Sequence, residues 1–211
     1  MAILEDISQA VQKGRSKEVV ALVQQAIDEG MEAKDIIDAG LLKGMGELGV
    51  RFKNNEVYVP EVLMAAKALG RGTELIKGKL VEEGVKPVGK VVIATVRGDL
   101  HDIGKSLVRM MMEGSGLEVV DLGVDVPEDV IVAAVNEHKP QILALSSLLT
   151  TTMEQQSVVI EALKAAGLRD QVKVMVGGAP LTQDYSDKIG ADAYAPDAYS
   201  AAEVAKAFVS E

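Results

Sequence analysis

Imidazole chemistry in this chain falls on two residues, His101 and His138, and thiol chemistry on none, because there is no cysteine. His101 stands in RGDLHDIGKS (97–106), two residues after Asp99 and three before Gly104. A neutral imidazole suits a metal of intermediate softness, and a ligating histidine commonly gives its other ring N–H to a carboxylate. Asp99 is able to supply that carboxylate from the same loop. Two further segments offer contacts to a ligand. One is the hydroxyl-rich SSLLTTT (146–152); the other is Gly177-Gly178, where no side chain blocks approach to the backbone. His138, before Lys139-Pro140, reads as a charge at a helix C-terminus or a surface residue. Asp102 also fits a helix N-cap, and Met110, Met111 and Met112 fit sheet-covering helix residues better than a cofactor-contacting box.

Taken singly these features are ordinary. Loop histidines are mostly surface or capping residues, Gly-Gly after a strand is commonly a turn, and Ser/Thr clusters commonly cap helices. The first loop has neither the dinucleotide glycine pattern nor the phosphate-loop GK[ST] pattern, so a nucleotide site is a poor reading.

The elements that would position these residues fall into two halves. Residues 1–85 read as helix throughout, with apolar residues three and four apart in Ile3, Ile7 and Val11, then in Val19, Val23 and Ile27. Gly14 and Gly30 punctuate the first two helices. A third pattern runs from Ile36 to about Phe52, Asn54-Asn55 breaks it, and a fourth helix begins near Pro60. That is the pattern of a four-helix bundle. From Lys90 strands and helices alternate: KVVIATV (90–96), LEVVDLG, QILALSS, VKVMVGG and a weaker ADAYAP, with helical stretches at 103–115, 128–138 and 153–166 and a closing AAEVAKAFV. Five such strands imply an α/β fold with a doubly wound parallel sheet over 90–211. EEGVKPVG (82–89) is the expected linker. In an open parallel sheet, ligands bind at the carboxyl ends of the strands, which is where the three unusual segments lie.

Composition bounds the reading. The 211 residues carry a net charge of -10, which argues against nucleic acid, and 48% are apolar, which argues for a globular chain. Without cysteine there is no disulfide framework and no thiolate metal site. MAILEDISQAVQKG lacks the apolar core of a signal peptide, and no apolar run reaches the length of a membrane helix, so a cytoplasmic protein is expected.

The joint spacing of the three segments is specific. Asp99-x-His101-x-x-Gly104 is followed, after 41 residues (105–145), by Ser146-x-Leu148 and, after 28 more (149–176), by Gly177-Gly178. This resembles the DxHxxG…SxL…GG signature of the vitamin B12-binding fold, a flavodoxin-like, Rossmann-like sheet. ATVRGDLHDIGKSLV and VVDLGVDVPEDVIV are similar to stretches of cobalamin-dependent methionine synthase and of small corrinoid proteins of methyltransferase systems of the methylamine, methanol, methoxy or betaine type. The resemblance implies cobalamin bound with its lower base displaced and His101 on cobalt. It also implies a relay from His101 through Asp99 to a hydroxyl, here Thr152 where the family member compared has serine. Ser146, Leu148, Thr150, Gly177 and Gly178 would line the slot for the displaced nucleotide tail. Gly98 and Asp102 would flank the lower corrin face, and the turn at Asp197-Ala198 would touch the tail.

GMGELGVRFKNNEVYVPEVLMAAKAL (44–69) resembles the helical cap of the same family. Phe52 and Val59 stand where side chains cover the methyl-bearing face there, Val59 in place of a leucine. Residues alone would read both as bundle core. By resemblance the chain is a corrinoid methyl carrier, cycling between Co(I) and methyl–Co(III) as methylcobalamin. Its partners would be a substrate-specific methyltransferase, an acceptor methyltransferase for folate or thiol, and a corrinoid-reducing activase. Other readings are the cobalamin subunit of an adenosylcobalamin mutase, a B12-dependent sensor, and a receiver-like signalling domain. The helical cap disfavours the first, the lack of residues left for a DNA-binding module disfavours the second, and the third would make the His101 constellation coincidental.

Overall fold

The computed structural model describes residues 2–210. They divide into two compact units, one running to Pro87 and including Gly114–Gly116, the other formed by Val88–Glu113 and the chain from Leu117 onward.

The first unit is helical. α1 (Ala2–Gln12) and α2 (Ser16–Asp28) are followed by one continuous helical path made of α3 (Ala33–Asp35), a π-helical stretch (Ile36–Leu42) and α4 (Lys43–Lys53); α5 (Val59–Glu82) closes the unit. Each helix turns one apolar stripe inward: Ile3, Ile7 and Val11 from α1, Val19 and Val23 from α2, Leu41, Met45 and Leu48 from the third path, and Val62, Ala65, Leu69 and Ile76 from α5. Gly72 sets how closely α5 packs, because a Cβ there would lie 2.6 Å from Leu41 Cδ2 and 2.9 Å from Val19 Cγ1. Pro60 falls in the first turn of α5, where its missing N–H costs nothing, and Glu61 turns back to accept the Tyr58 N–H at 3.1 Å. At the other end of α5 the Glu83 carboxylate accepts the N–H groups of Ala33 (2.8 Å) and Lys34 (3.1 Å), capping the start of the third path. The periodicity over Ile36–Phe52 thus marks the right span, but its first two turns are wound as π-helix.

The second unit is a five-stranded, all-parallel sheet in the order β2-β1-β3-β4-β5: β1 (Lys90–Thr95), β2 (Glu118–Asp121), β3 (Ile142–Ser146), β4 (Lys173–Gly177) and β5 (Ala193–Tyr194). The connecting helices are α6 (Ile103–Glu113), α7 (Glu128–His138), α8 (Glu154–Ala165) and α9 (Gln183–Ile189), and α10 (Ala198–Ser210) follows β5. β1, β3 and β4 are buried along nearly their whole length, as strands covered on both faces must be. On one face Val92, Ala94, Leu143, Leu145, Val174 and Val176 pack against Ile131 and Val135 of α7 and Val159, Ile160 and Leu163 of α8. Of the three methionines of α6 expected to cover the sheet, Met111 and Met112 are buried and Met110 is part-buried. His138 is the last residue of α7, at its negative dipole end. Several boundaries tighten: β1 stops at Thr95, with Val96 forming an isolated bridge to Val126, α6 ends at Glu113, and the helix expected over 153–166 runs Glu154–Ala165.

The chain leaves β1 toward β2 on one side and returns through β3 to the other. The carboxyl ends of β1 and β3 therefore form the switch point at which open parallel sheets bind ligands.

Candidate functional site

The loops after β1 and β3 meet at Asp99, which is fully buried. Its Oδ1 accepts the His101 backbone N–H at 3.0 Å and faces His101 Nδ1 at 2.7 Å. Its Oδ2 accepts the Leu148 N–H and the Thr152 hydroxyl, both at 2.7 Å. Both oxygens are thus doubly engaged, the full capacity of a carboxylate. Burial pushes the Asp99 carboxyl up, but the bonds from Thr152, Leu148 and His101 outweigh it and hold the group far below the usual carboxylate range.

An ionised carboxylate can only accept, so the proton between Asp99 and His101 sits on Nδ1. In the neutral imidazole, the form that binds a metal, Nε2 is then the nitrogen with the lone pair, on a side chain 49% exposed. The ring is held at both ends of its residue: besides the Asp99 bonds, the His101 carbonyl accepts the Thr95 hydroxyl at 3.0 Å, tying the loop to the end of β1.

Neighbouring residues complete the loop. Gly98 adopts a left-handed backbone (φ +80°) and donates its N–H to Asp125 Oδ1 at 2.6 Å. Asp125 N–H in turn donates to the Asp99 carbonyl at 2.9 Å. Asp102 does not spend its carboxylate on capping N–H groups; it pairs with Lys105 at 2.9 Å and accepts the Ser106 hydroxyl at 2.9 Å, and these bonds lower its pKa. Lys105 is buried and also pairs with Asp121 at the end of β2.

At β3 and β4, Ser146 and Gly177 are partners in register, so the two signature segments lie side by side. Leu148 and Thr150 are exposed on the loop, while Thr152 turns inward and is buried. Gly178 serves the fold directly: its φ is +138°, and a Cβ there would lie 1.7 Å from the Ser147 carbonyl oxygen. Asp197 caps α10 through the Ser200 N–H (2.8 Å) and hydroxyl (2.7 Å), and Ala198 behind it is buried. Phe52, near the end of α4, and Val59, the first residue of α5, belong to the helical unit, and both are half-buried there.

Several features fit a flat corrinoid with cobalt at its centre. Nε2 is a free imidazole donor. A Cβ at Gly104, exposed in the first turn of α6, would meet nothing within 4 Å, so protein packing gives no reason for glycine there. Leu100 and Ile103, on either side of His101, are 72% and 76% exposed, an apolar rim that a large ring would cover.

Two models of the B12 binding domain match the chain, over residues 89–203 and over 3–77. A dimethylamine corrinoid protein of Methanosarcina barkeri is 44% identical over 206 residues, covering 97% of this chain and 96% of that protein. Trimethylamine corrinoid protein 1 of Methanosarcina acetivorans is 46% identical over 179 residues, covering 84% and 83%. This chain belongs to the cobalamin-binding corrinoid proteins of methyltransferase systems. The corrinoid protein also resembles a chain of the methanol:cobalamin methyltransferase complex of Methanosarcina barkeri (TM-score 0.89, 33% identity, 99% of this chain and 80% of that one). A cobalamin-binding protein of Desulfitobacterium hafniense matches with a TM-score of 0.80 and 33% identity over 97% of this chain and 98% of that one. Cobalamin is accordingly the cofactor of this corrinoid protein. Among the described residues, no helix is long and apolar enough to cross a membrane, and no cluster of His, Cys, Asp and Glu could hold a separate metal ion.

The sequence left Leu100, Ile103, Lys105, Asp125 and Ser147 unremarked. Leu100 and Ile103 carried a readable signal, being large apolar residues within an otherwise polar loop. The burial of Lys105 and Ser147 depends on tertiary neighbours and had none.

Proposed function

We propose that this corrinoid protein is a methyl carrier that binds cobalamin with the lower base displaced and His101 as the lower axial ligand of cobalt. The observation that carries the reading is the commitment of His101 Nδ1 to the ionised Asp99, which leaves Nε2 as a metal donor on a half-exposed ring. The corrinoid, held by His101, would supply a centre able to accept and release a methyl group.

The chain's own work in this reading is binding and control. Asp99 fixes the imidazole tautomer and shares protons with it; Thr152 donates to the carboxylate and tempers its pull. Gly98, Asp102 and Gly104 border the lower face. Ser146, Leu148, Thr150, Gly177 and Gly178 take the displaced tail, with Ala198 at its margin. Residues 1–85 form a cap whose Phe52 and Val59 shield the methyl-bearing face, 90–211 form the cofactor-binding domain, and 82–89 is the hinge that lets the cap leave during turnover.

A substrate-specific methyltransferase would load the carrier, an acceptor methyltransferase acting on folate or thiol would unload it, and a reducing activase would restore it. The likeness to dimethylamine and trimethylamine corrinoid proteins and to the methanol complex supports small methylated amines or alcohols as donors. The B12 binding domain match over 3–77 favours this over a mutase subunit.

The test is the EPR spectrum of protein reconstituted in the Co(II) state. Nitrogen hyperfine splitting is expected, it should change when histidine is labelled with nitrogen-15, and His101→Ala should abolish it. Splitting that survives in His101→Ala would remove His101 from the cobalt.

A further inference from the structure

Ser147 fills the middle, unspecified position of Ser146-x-Leu148 and is fully buried. Its Oγ lies 2.9 Å from Thr152 Oγ1, which lies 2.7 Å from Asp99 Oδ2. We propose that Ser147 is a positioning residue for the His101 imidazole, setting its donor strength through Thr152 and Asp99; this rests on His101 being the cobalt ligand.

Acceptor count fixes the direction of the chain. The Asp99 carboxylate cannot donate, so Thr152 spends its single hydroxyl hydrogen on it. The other acceptor within reach is the Leu149 carbonyl, 3.1 Å from Thr152 Oγ1 and 3.4 Å from Ser147 Oγ. That oxygen already receives the N–H groups of Thr152 (3.1 Å) and Met153 (3.0 Å), which occupy its two lone pairs. Ser147 therefore donates to Thr152, and both hydroxyls point toward Asp99.

The backbone of Ser147 is clamped in place. Its N–H donates to the Gly177 carbonyl at 3.2 Å, and its own carbonyl occupies the space that a Cβ at Gly178 would need. With the backbone fixed, rotation about χ1 is the one motion that would take the hydroxyl away from Thr152.

Hydrogen bonds in a chain polarise one another, so donation from Ser147 strengthens the bond from Thr152 to Asp99. A carboxylate drawn on that side pulls less on His101 Nδ1–H, and Nε2 is a weaker donor. Removing the Ser147 hydroxyl reverses this: Asp99 pulls harder, and the imidazole holds cobalt more tightly. The chain is not a proton exit, because Asp99, Thr152 and Ser147 are all buried.

The experiment compares Ser147→Ala, Thr152→Val, the double variant and His101→Ala, all loaded with cobalamin at one fixed pH. Ligand strength is read from nitrogen hyperfine coupling in the Co(II) state and from the Co(II)/Co(I) midpoint. Ser147→Ala is expected to favour the His-on form about two- to fivefold, a fraction of one hydrogen bond. At 59 mV per decade for one electron, the midpoint falls by about 20–40 mV. In the Thr152→Val background the same substitution should add nothing, because Ser147 acts through that hydroxyl. Ser147→Cys, which keeps a weak donor, should shift the midpoint less than alanine; it also serves if the alanine variant folds poorly. An unchanged midpoint in Ser147→Ala, an equal shift in the Thr152→Val background, or a larger shift with cysteine overturns the proposal. If His101→Ala loses its coupling while Ser147→Ala changes nothing, only this proposal fails. If His101→Ala keeps it, the ligation reading fails and takes this proposal with it.

Discussion

Asp99 Oδ2 and Thr152 Oγ1 lie 2.7 Å apart across 53 residues of sequence, and this bond joins the loop after β1 to the loop after β3. One carboxylate thus both orients the imidazole and ties together the two loops at the switch point of the sheet.

The first prediction concerns acid stability without cofactor. The folded pKa of Asp99 is depressed, so its contribution to stability is present above the unfolded value of about 4 and is lost as pH falls toward the folded one. Asp99→Asn lacks that contribution and puts an amide group among donors, at a cost of about 1–3 kcal/mol near neutrality. Urea unfolding from pH 7 down to pH 3 should show the gap between the two proteins narrowing below about pH 4. A gap independent of pH would mean that Asp99 is not held ionised by its partners.

Gly104→Ala should separate folding from binding. The glycine sits in a helix with open space around it, so alanine should stabilise the apoprotein by about 0.5–1 kcal/mol. Cobalamin affinity should fall at least about tenfold, because the methyl group would intrude where the cofactor approaches. Thermal melts and a cofactor titration check both halves. Unchanged affinity would deny Gly104 a place against the cofactor.

Gly178→Ala should fail in the opposite manner. A Cβ 1.7 Å from the Ser147 carbonyl, at φ +138°, cannot be accommodated without moving β3 or β4. A loss of about 3–5 kcal/mol in the apoprotein is expected from denaturant unfolding. A variant as stable as the parent would show that these strand ends are free to part.

Phe52→Ala tests the shielding role. The side chain is half-buried in its own helical unit, so truncation should cost the apoprotein about 1–2 kcal/mol. In the cobalamin-loaded, reduced protein, reaction with a small alkyl halide in the absence of any partner should quicken several-fold. An unchanged rate would assign Phe52 to packing alone.

Much of this was legible in the sequence. The alternation of buried strands and helices from Lys90 specified the parallel sheet, because strands covered on both faces must be apolar along their length. Asp99 and His101 were legible because their contact is local, two residues apart. The Thr152 contact came only through resemblance, since nothing local distinguishes its hydroxyl from those of Thr150 or Ser147. Thr150 is exposed while Ser147 and Thr152 are both buried, and of the two only Thr152 bonds Asp99, a placement that tertiary neighbours set. Gly177-Gly178 read as room for a ligand, whereas at Gly178 the space is filled by the protein's own backbone. Nothing local marks Lys105 as buried, because its compensating Asp121 lies at the end of another element, β2. The π-helical stretch Ile36–Leu42 was hidden because widened and ordinary helical turns share nearly the same apolar spacing.

Leu100, in the loop after β1, and Ile103, at the start of α6, leave the cofactor-free chain with two large apolar side chains in water beside His101. Each stands to gain about 1.5–3 kcal/mol from any surface that buries it, another copy of the chain included. The net charge of -10 opposes that encounter by mutual repulsion, and repulsion between exposed charges is screened within about 10 Å at 0.1 M salt. On this argument the cofactor-free chain should self-associate more as salt rises, and light scattering of apoprotein and loaded protein across a salt series checks it. If cobalamin covers Leu100 and Ile103 on loading, the cofactor would also protect the chain against its own aggregation.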